Sequence, residues 1–228
     1  DAINHRHQNP WYQRGIPLPE NLHATIKPAE AVDCADIIVL AVPAQTLRDN
    51  LAIWAPAFAP DALLVSLIKG VELGTTKRMS EVIREVADVP QSRVAVVTGP
   101  NLAREIAERQ PSASVVACSD LANAELLQAA CQTPYFRPYT NTDVVGCELA
   151  GAVKNVIAVA VGIADGMGLG DNSKSSLVTR GLAATASFPL ALDADVELSD
   201  GHRALPASSS RRSGRRGRGS CRGRRCRR

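Results

Sequence analysis

The chain has 228 residues, of which 45% are hydrophobic and 21% charged, enough for one large globular domain or two small ones with a buried core. Its formal net charge of +3 averages an arginine-rich stretch beyond Gly201 and a body that is close to neutral. No uncharged apolar run reaches about 18 residues, and residues 1–15 lack a signal-peptide core, so we expect a cytoplasmic protein without a membrane span.

Cysteine and histidine are not arranged as metal ligands. The six cysteines are scattered, and no Cys-x-x-Cys pair or histidine cluster accompanies them. We interpret the four cysteines of the body as reduced, small hydrophobic residues, and we predict no metal site.

Short apolar runs alternate with amphipathic stretches between Asp36 and Cys131. The predicted strands are 36–42, 62–68, 93–99 and 112–118, and the predicted helices are 45–55, 75–87, 101–109 and 121–131. Thr75 or Thr76 is a suitable cap for the second helix. Strands that are apolar throughout and separated by helices predict a doubly wound α/β fold with a mostly parallel sheet covered on both faces.

The character of the sequence changes after residue 140. The stretch from Asp143 is too long and too rich in Ala and Gly for a strand, so it predicts a long buried helix closed by glycines. We therefore divide the chain into an α/β domain (1–140), the start of a helical domain (141–190) and a tail (191–228). The tail is rich in Arg, Gly and Ser and is predicted to be disordered, because it cannot form an apolar core.

Ligands of an open parallel sheet bind beyond the carboxyl ends of its strands, and three loops fall there. They are "AVPAQ" (41–45), "IKGVE" (68–72) and "TGPNLARE" (98–105). Lys69 stands where its ammonium group can reach a phosphate or a developing oxyanion, although a solvated loop lysine is an equal alternative. Gly99 permits close approach of the backbone, and Asn101 opens a helix whose first N–H groups favour an anion. An ordinary capped helix start is the alternative there.

Lys154 is the residue that most strongly indicates catalysis. It lies beside Asn155 in "ELAGAVKNVIAVAVGIADGMGLGDN", a stretch whose flanking residues are apolar. A lysine buried there would have a lowered pKa and would be able to accept or return a proton. Asn155 would orient the same ligand or cap a helix kink.

Several segments, taken in order, resemble the bacterial-type NAD(P)-dependent glycerol-3-phosphate dehydrogenases over about residues 1–183. They are "INHRHQNPWY", "GIPLPENL", "ADIIVLAVPAQTLR", "SLIKGVE", "GPNLAREIA" and "ELAGAVKNVIAVAVGIADGMGLGDNSKSSLVTRGLA". The resemblance implies a Rossmann-like dinucleotide-binding domain followed by a helical domain. It also implies the interconversion of dihydroxyacetone phosphate and sn-glycerol 3-phosphate with NAD or NADP, which supplies glycerophospholipid precursors. The helical domain of the family often mediates homodimers.

The resemblance also implies roles for individual residues. Lys154 corresponds to the catalytic acid/base of the family, and Lys69 to a lysine that contacts both substrate and cofactor. Gly99 and Asn101 would contact the substrate together with these two lysines. Ala103 would contact the cofactor, and Tyr12 is a further residue on the cofactor side.

The sequence departs from the family pattern at both ends. The first βαβ unit of the family, with the Gly-x-Gly-x-x-Gly loop that holds the cofactor pyrophosphate, would precede Asp1. A Ser-Arg-Asn motif that binds phosphate and cofactor is not found after Gly181. We therefore expect little activity from the chain by itself. Our hypothesis for the segment after about residue 183 is a shifted reading frame, because Arg, Gly, Ser, Ala and Pro dominate a GC-rich gene read out of frame.

The arginine-rich tail supports one alternative of a different class. Clustered arginines neutralise phosphates, so the tail would allow binding to nucleic acid or to an acidic partner. No aromatic side chain is interleaved with the arginines, and binding of this kind would therefore be nonspecific.

Overall fold

The computed structural model describes residues 2–192, with side chains described as far as residue 187. Seven strands and eight α-helices make up this part of the chain. In chain order they are α1 (Ala2–Arg6), β1 (Gln8–Asn9), β2 (Gln13–Pro17), α2 (Pro28–Val32), β3 (Ile37–Leu40), α3 (Leu47–Trp54), β4 (Leu63–Ser66), α4 (Met79–Ala87), β5 (Val94–Thr98), α5 (Ala103–Ala107), β6 (Ser112–Cys118), α6 (Leu121–Cys131), β7 (Phe136–Asn141), α7 (Val144–Gly166) and α8 (Asp171–Leu192).

Five strands form one sheet in the order β3-β4-β5-β6-β7. All neighbouring pairs are parallel except β5 and β6, which are antiparallel, so the predicted doubly wound, mostly parallel sheet is confirmed. The exception follows from the connection between these two strands. Helix α5 has five residues, or about 7.5 Å of helix, and cannot carry the chain back along the roughly 16 Å of β5.

The core lies on both faces of the sheet, as alternation along β4 requires. Leu64 faces a cluster that includes Leu47 of α3 and Ile83 of α4, all three fully buried. Its neighbours Leu63 and Val65 face the opposite cluster against α6. Burial on both faces explains why these strands are apolar at every position rather than at every second one.

The predicted helix 75–87 starts late, and its predicted threonine cap is wrong. The helix begins at Met79 with Arg78 as the N-cap residue, whose backbone N–H donates to Glu81 Oε2 at 2.8 Å. The preceding residues form a turn closed by a bridge between Val71 and Arg78. Thr76 has a φ of 57°, which is incompatible with a helical turn at that position.

Helix α7 follows the sheet directly and packs on β5, β6 and α8. Its N-cap residue is Asp143, whose carboxylate accepts the Gly146 N–H at 2.7 Å. The prediction of a helix buried along its whole length is wrong for its second half, where apolar side chains are largely exposed: Val156, Val159 and Ile163. The described neighbours cover only one side of the helix.

Helix α7 is long and apolar enough to cross a membrane, but a core helix meets the same criterion, so this is weak support for a span.

The sequence predicted neither the small antiparallel pair β1–β2 nor strand β7 and helix α8. Strand β7 contains Pro138 and alternates exposed with buried residues, unlike the apolar strands before it. Nearly all of the tail lies outside the described residues. The predictions that it is disordered, that its arginines bind nucleic acid and that it arises from a frame shift therefore stay predictions. The domain boundaries at residues 140 and 190 stay predictions.

Candidate active site

The loop after β4 places the ammonium group of Lys69 beside the loop after β5. Lys69 Nζ donates hydrogen bonds to the Gly99 carbonyl at 3.2 Å and to Asn101 Oδ1 at 3.0 Å. Both loops stand at the carboxyl ends of adjacent parallel strands, and this adjacency joins residues about thirty positions apart. The structure thus brings Lys69, Gly99 and Asn101 together.

Gly99 allows the end of β5 to lie directly on β6. Its φ is +143°, a conformation that side chains disfavour. A Cβ atom here would lie 3.1 Å from Ser114 Cα and 3.2 Å from the Ala113 carbonyl oxygen. A side chain at this position would therefore collide with β6 next to the carbonyl that accepts from Lys69.

Lys154 comes to the same place from α7. Gly151, one turn earlier, faces Thr98 at the end of β5 so closely that a Cβ atom would lie 2.5 Å from Thr98 Oγ1. This close approach sets the helix against the sheet just before Lys154. Lys154 is partly buried rather than enclosed, which corrects the burial expected from its apolar neighbours.

Glu148 anchors the first two turns of α7. Its carboxylate is 4% exposed and accepts the Ser80 N–H at 2.8 Å, the Ser80 hydroxyl at 2.6 Å and Arg78 Nη1 at 3.2 Å. Burial raises the pKa of Glu148, while these three donors favour its charged form. The contacts tie α7 to the start of α4 and fix the direction in which the helix carries Lys154.

The charge of Lys154 acts on Lys69. The pKa of Lys69 is lowered first by partial burial of its ammonium group and then by the charge of Lys154. As a residue Lys69 remains exposed, so the desolvation is incomplete. Neither lysine forms an ion pair within the described part of the chain. The pair is therefore a cationic centre that favours an anionic ligand.

Two cavities border this lysine pair. One of about 320 Å³ lies at the carboxyl ends of β3 and β4 and is lined by 41–44 and 67–69. The other, of about 560 Å³, lies between α7 and α8, and Lys154, Ile157 and Lys174 contribute to its wall. The first lies at the edge of the sheet where α/β folds bind ligands, and its wall from Ala41 to Ala44 is apolar.

The remaining predicted cofactor residues lie apart from the lysine pair. Ala103 is exposed at the first position of α5, just beyond Asn101. Tyr12 is 86% exposed in the turn between β1 and β2, and its backbone N–H donates to Asn9 Oδ1. Among residues 2–192, no hydrogen bond or ion pair joins Tyr12 to either lysine. No group of three potential metal ligands occurs within the same residues.

Sequence reasoning missed three residues that contact the elements carrying the two lysines. Gly151 and Glu148 lie three and six positions before Lys154, and Gln45 lies in the loop after β3. The small residue one turn before the lysine was a usable indication of close helix packing. Glu148 and Gln45 resemble ordinary surface residues in the sequence, so no pattern distinguishes them.

Comparisons with known proteins agree with the geometry. Residues 1–124 match the family profile described as NAD-dependent glycerol-3-phosphate dehydrogenase N-terminus, and residues 143–203 match that of the C-terminus. The second match continues beyond residue 183, where the resemblance carried by the motifs ended.

Relatives and solved structures give the same result. The glycerol-3-phosphate dehydrogenase [NAD(P)+] of Streptomyces avermitilis is 68% identical over 195 residues, which are 86% of this chain and 58% of the relative. That of Thermobifida fusca is 61% identical, with the same coverage. The glycerol-3-phosphate dehydrogenase structure from Plasmodium falciparum has a TM-score of 0.79 at 30% identity and covers 84% of this chain and 54% of its own.

The chain thus spans somewhat more than half the length of the curated relatives it matches. The two family profiles together cover most of its residues, and the structural match covers 84% of them. The chain belongs to the family of NAD-dependent glycerol-3-phosphate dehydrogenases.

Proposed function

We propose that this site interconverts dihydroxyacetone phosphate and sn-glycerol 3-phosphate by hydride transfer with NAD or NADP. The observation that carries the proposal is the position of Lys69. Its ammonium group is hydrogen-bonded to Gly99 and Asn101 and is close enough to Lys154 for the two charges to interact. A substrate that is itself an anion and gains negative charge during reduction matches such a centre.

The two lysines have separate tasks in the proposed reaction. When hydride reaches C2 of the ketone, its oxygen becomes an alkoxide that needs a proton, and Lys154 Nζ supplies it. Lys69 Nζ stabilises the charge that develops on the same oxygen. In the opposite direction Lys154 removes the proton from the C2 hydroxyl. Proton transfer by a placed side chain contributes roughly 10²- to 10⁴-fold in rate.

Asn101 has the polarity to complete the substrate contact. Its Oδ1 accepts the hydrogen bond from Lys69, so its Nδ2 hydrogens remain available to a substrate hydroxyl or phosphate oxygen. Gly99 contributes close backbone approach rather than a side chain. Together with the lysines, these residues would hold the triose phosphate by its charged and polar groups.

The cofactor would bind in the 320 Å³ cavity next to Lys69 and supply the hydride. Lys69 borders this cavity, and Ala103 and Tyr12 are the further residues that we assign to the cofactor by family resemblance. The choice between NAD and NADP depends on contacts to the adenine ribose, which the family makes with residues that precede the first loop of the site.

The test uses a chimaera of the Streptomyces avermitilis relative that carries residues 1–183 of this chain. We expect it to oxidise NADPH or NADH in the presence of dihydroxyacetone phosphate. Lys154→Met should lower kcat by about 100-fold or more and leave cofactor affinity unchanged in a fluorescence titration. Lys27→Met is the matched control, because Lys27 is an exposed lysine paired with Glu30. Wild-type turnover in Lys154→Met would refute the assignment.

The same assay on the chain by itself measures the activity that we expect to be low. We also propose a cytoplasmic location, a small-molecule partner and a homodimer; size-exclusion chromatography with light scattering tests the last of these. The comparisons support the dehydrogenase and give no support to nucleic-acid binding as the function.

A further inference from the structure

We propose that Gln45 is a positioning residue that holds the loop carrying Lys69 in place for catalysis. The loop geometry stands independently of the reaction, whereas its importance for catalysis rests on the function proposed above. Gln45 lies in the 3-10 turn Ala44–Thr46 after β3, and within residues 2–192 no hydrogen bond joins its side chain to either lysine. It would act through the main chain of the neighbouring loop.

The side-chain amide of Gln45 bonds twice to that main chain. Its Nε2 donates to the Val71 carbonyl at 2.9 Å, and its Oε1 accepts the Leu73 N–H at 2.9 Å. One planar group thus satisfies a donor and an acceptor two residues apart, as a neighbouring β-strand would. This pattern fixes both the position and the direction of residues 71–73.

The loop needs such support because the sheet no longer provides it. The last ladder contact is the hydrogen bond from Leu67 N–H to the Leu40 carbonyl at 3.0 Å. Beyond it the chain turns at Gly70, which has a φ of +126° and where a Cβ atom would lie 3.7 Å from Ala44 Cβ. The turn therefore lies on the residue next to Gln45, and Gln45 continues the contact where the ladder has ended.

Two sets of hydrogen bonds hold the segment that carries Lys69. On one side its ammonium group bonds to Gly99 and Asn101, and on the other side its loop is held by Gln45. Loss of the Gln45 contacts would let the loop move away from the β5 end and from Lys154. The ammonium group would then be better solvated and farther from the neighbouring charge.

A second contact to the same loop has a different character. Arg48 binds the side-chain carboxylate of Glu72 at 2.8 and 3.0 Å, whereas Gln45 binds the backbone. Arg48 therefore stabilises the loop but does not set the direction of its main chain. The Gln45 contacts bind the main chain of Val71 and Leu73, just after the turn at Gly70, in addition to the bridge between Val71 and Arg78.

The test compares Gln45→Met with the unchanged chain. Methionine keeps the length of the side chain and removes both hydrogen bonds, and Gln45 is exposed, so the fold should be retained. We expect the Leu73 amide to exchange with solvent about five- to tenfold faster, as befits the loss of a hydrogen bond. We also expect the midpoint of Lys69 acetylation, followed by mass spectrometry against pH, to rise toward 10.5.

The charged group that faces Lys69 is Lys154 on α7, while Gly99 and Asn101 are neutral. The labelling midpoint therefore reports first how far the Lys69 ammonium group is buried and then how near it is to Lys154. Gln128→Met is the matched control, since Gln128 Nε2 donates to the Pro138 carbonyl at 2.9 Å on the other side of the sheet. It should leave both readouts unchanged. An unchanged Lys69 midpoint in Gln45→Met would overturn the proposal.

The same substitution in the chimaera separates this proposal from the function. A positioning role predicts a lower kcat for Gln45→Met, with the Lys69 midpoint raised in parallel. A raised midpoint in a chimaera without dehydrogenase activity would leave the positioning of Lys69 intact and refute the proposed reaction. A full-rate Gln45→Met chimaera would refute the catalytic importance of Gln45.

Discussion

Replacement of Gly99 by alanine should weaken the fold through two separable effects. The first is backbone strain, because the φ of +143° costs a residue with a side chain about 1–3 kcal/mol. The second is collision, because the new Cβ would lie 3.1 Å from Ser114 Cα and 3.2 Å from the Ala113 carbonyl oxygen. Both are main-chain atoms of β6 that cannot rotate away, and overpacking of this kind costs about 1–3 kcal/mol. We therefore expect a loss of roughly 2–6 kcal/mol in the free energy of unfolding.

Two other glycine positions serve as references for Gly99→Ala. Gly74 has a φ of +86° and nothing within 4 Å of the added Cβ, so Gly74→Ala should show the strain alone. Gly162 lies inside α7 with open space around it, and Gly162→Ala should stabilise the chain by about 0.5–1 kcal/mol through helix propensity. Urea unfolding followed by circular dichroism measures all three variants. The reasoning fails if Gly99→Ala is no less stable than Gly74→Ala.

Two further predictions concern titratable groups. Arg48, and then Thr75, hold the pKa of Glu72 at about 2, below its value of 4.5 when unfolded; the stability from this contact is therefore present above pH 4.5 and lost as the pH falls toward 2. Arg48→Met should flatten the stability profile over that range in urea unfolding, and an unchanged profile would contradict the assignment. Burial raises the pKa of Cys147 to about 11, so at pH 8 iodoacetamide should label the exposed Cys34 and spare Cys147 until the chain unfolds. Peptide mapping by mass spectrometry reads both sites, and equal labelling rates would contradict this prediction.

The central strands and helices could be predicted because both faces of the sheet are covered. Strand β6 and helix α6 have the boundaries that the apolar pattern indicates, Ser112–Cys118 and Leu121–Cys131. The other strands are shorter than their apolar runs, since ladder pairing ends before the side chains leave the core. Strand β7 carries polar residues and a proline, and its place in the sheet depends on pairing with β6 that no local pattern reveals.

The site was predictable where topology alone decides it. Loops at the carboxyl ends of adjacent strands must be neighbours, and this rule placed Lys69 near Gly99 and Asn101. The burial of Lys154 was overestimated because an apolar sequence was taken to be covered on all sides, whereas the described neighbours cover one side. Gln45 could not be predicted, because its role lies in backbone groups of another loop that the sequence does not identify.

The attachment of α7 determines how movement along this helix would affect the site. Glu148 and Gly151 fix the helix to α4 and to the end of β5, so a tilt of the helix would pivot about these contacts. Lys154 lies three residues beyond Gly151, or about 4.5 Å along the axis, whereas Gly166 lies about 22 Å beyond it. A tilt of the helix therefore displaces its far end about five times as much as Lys154. The ammonium group of Lys154 thus lies on the part of α7 that such a tilt would displace least.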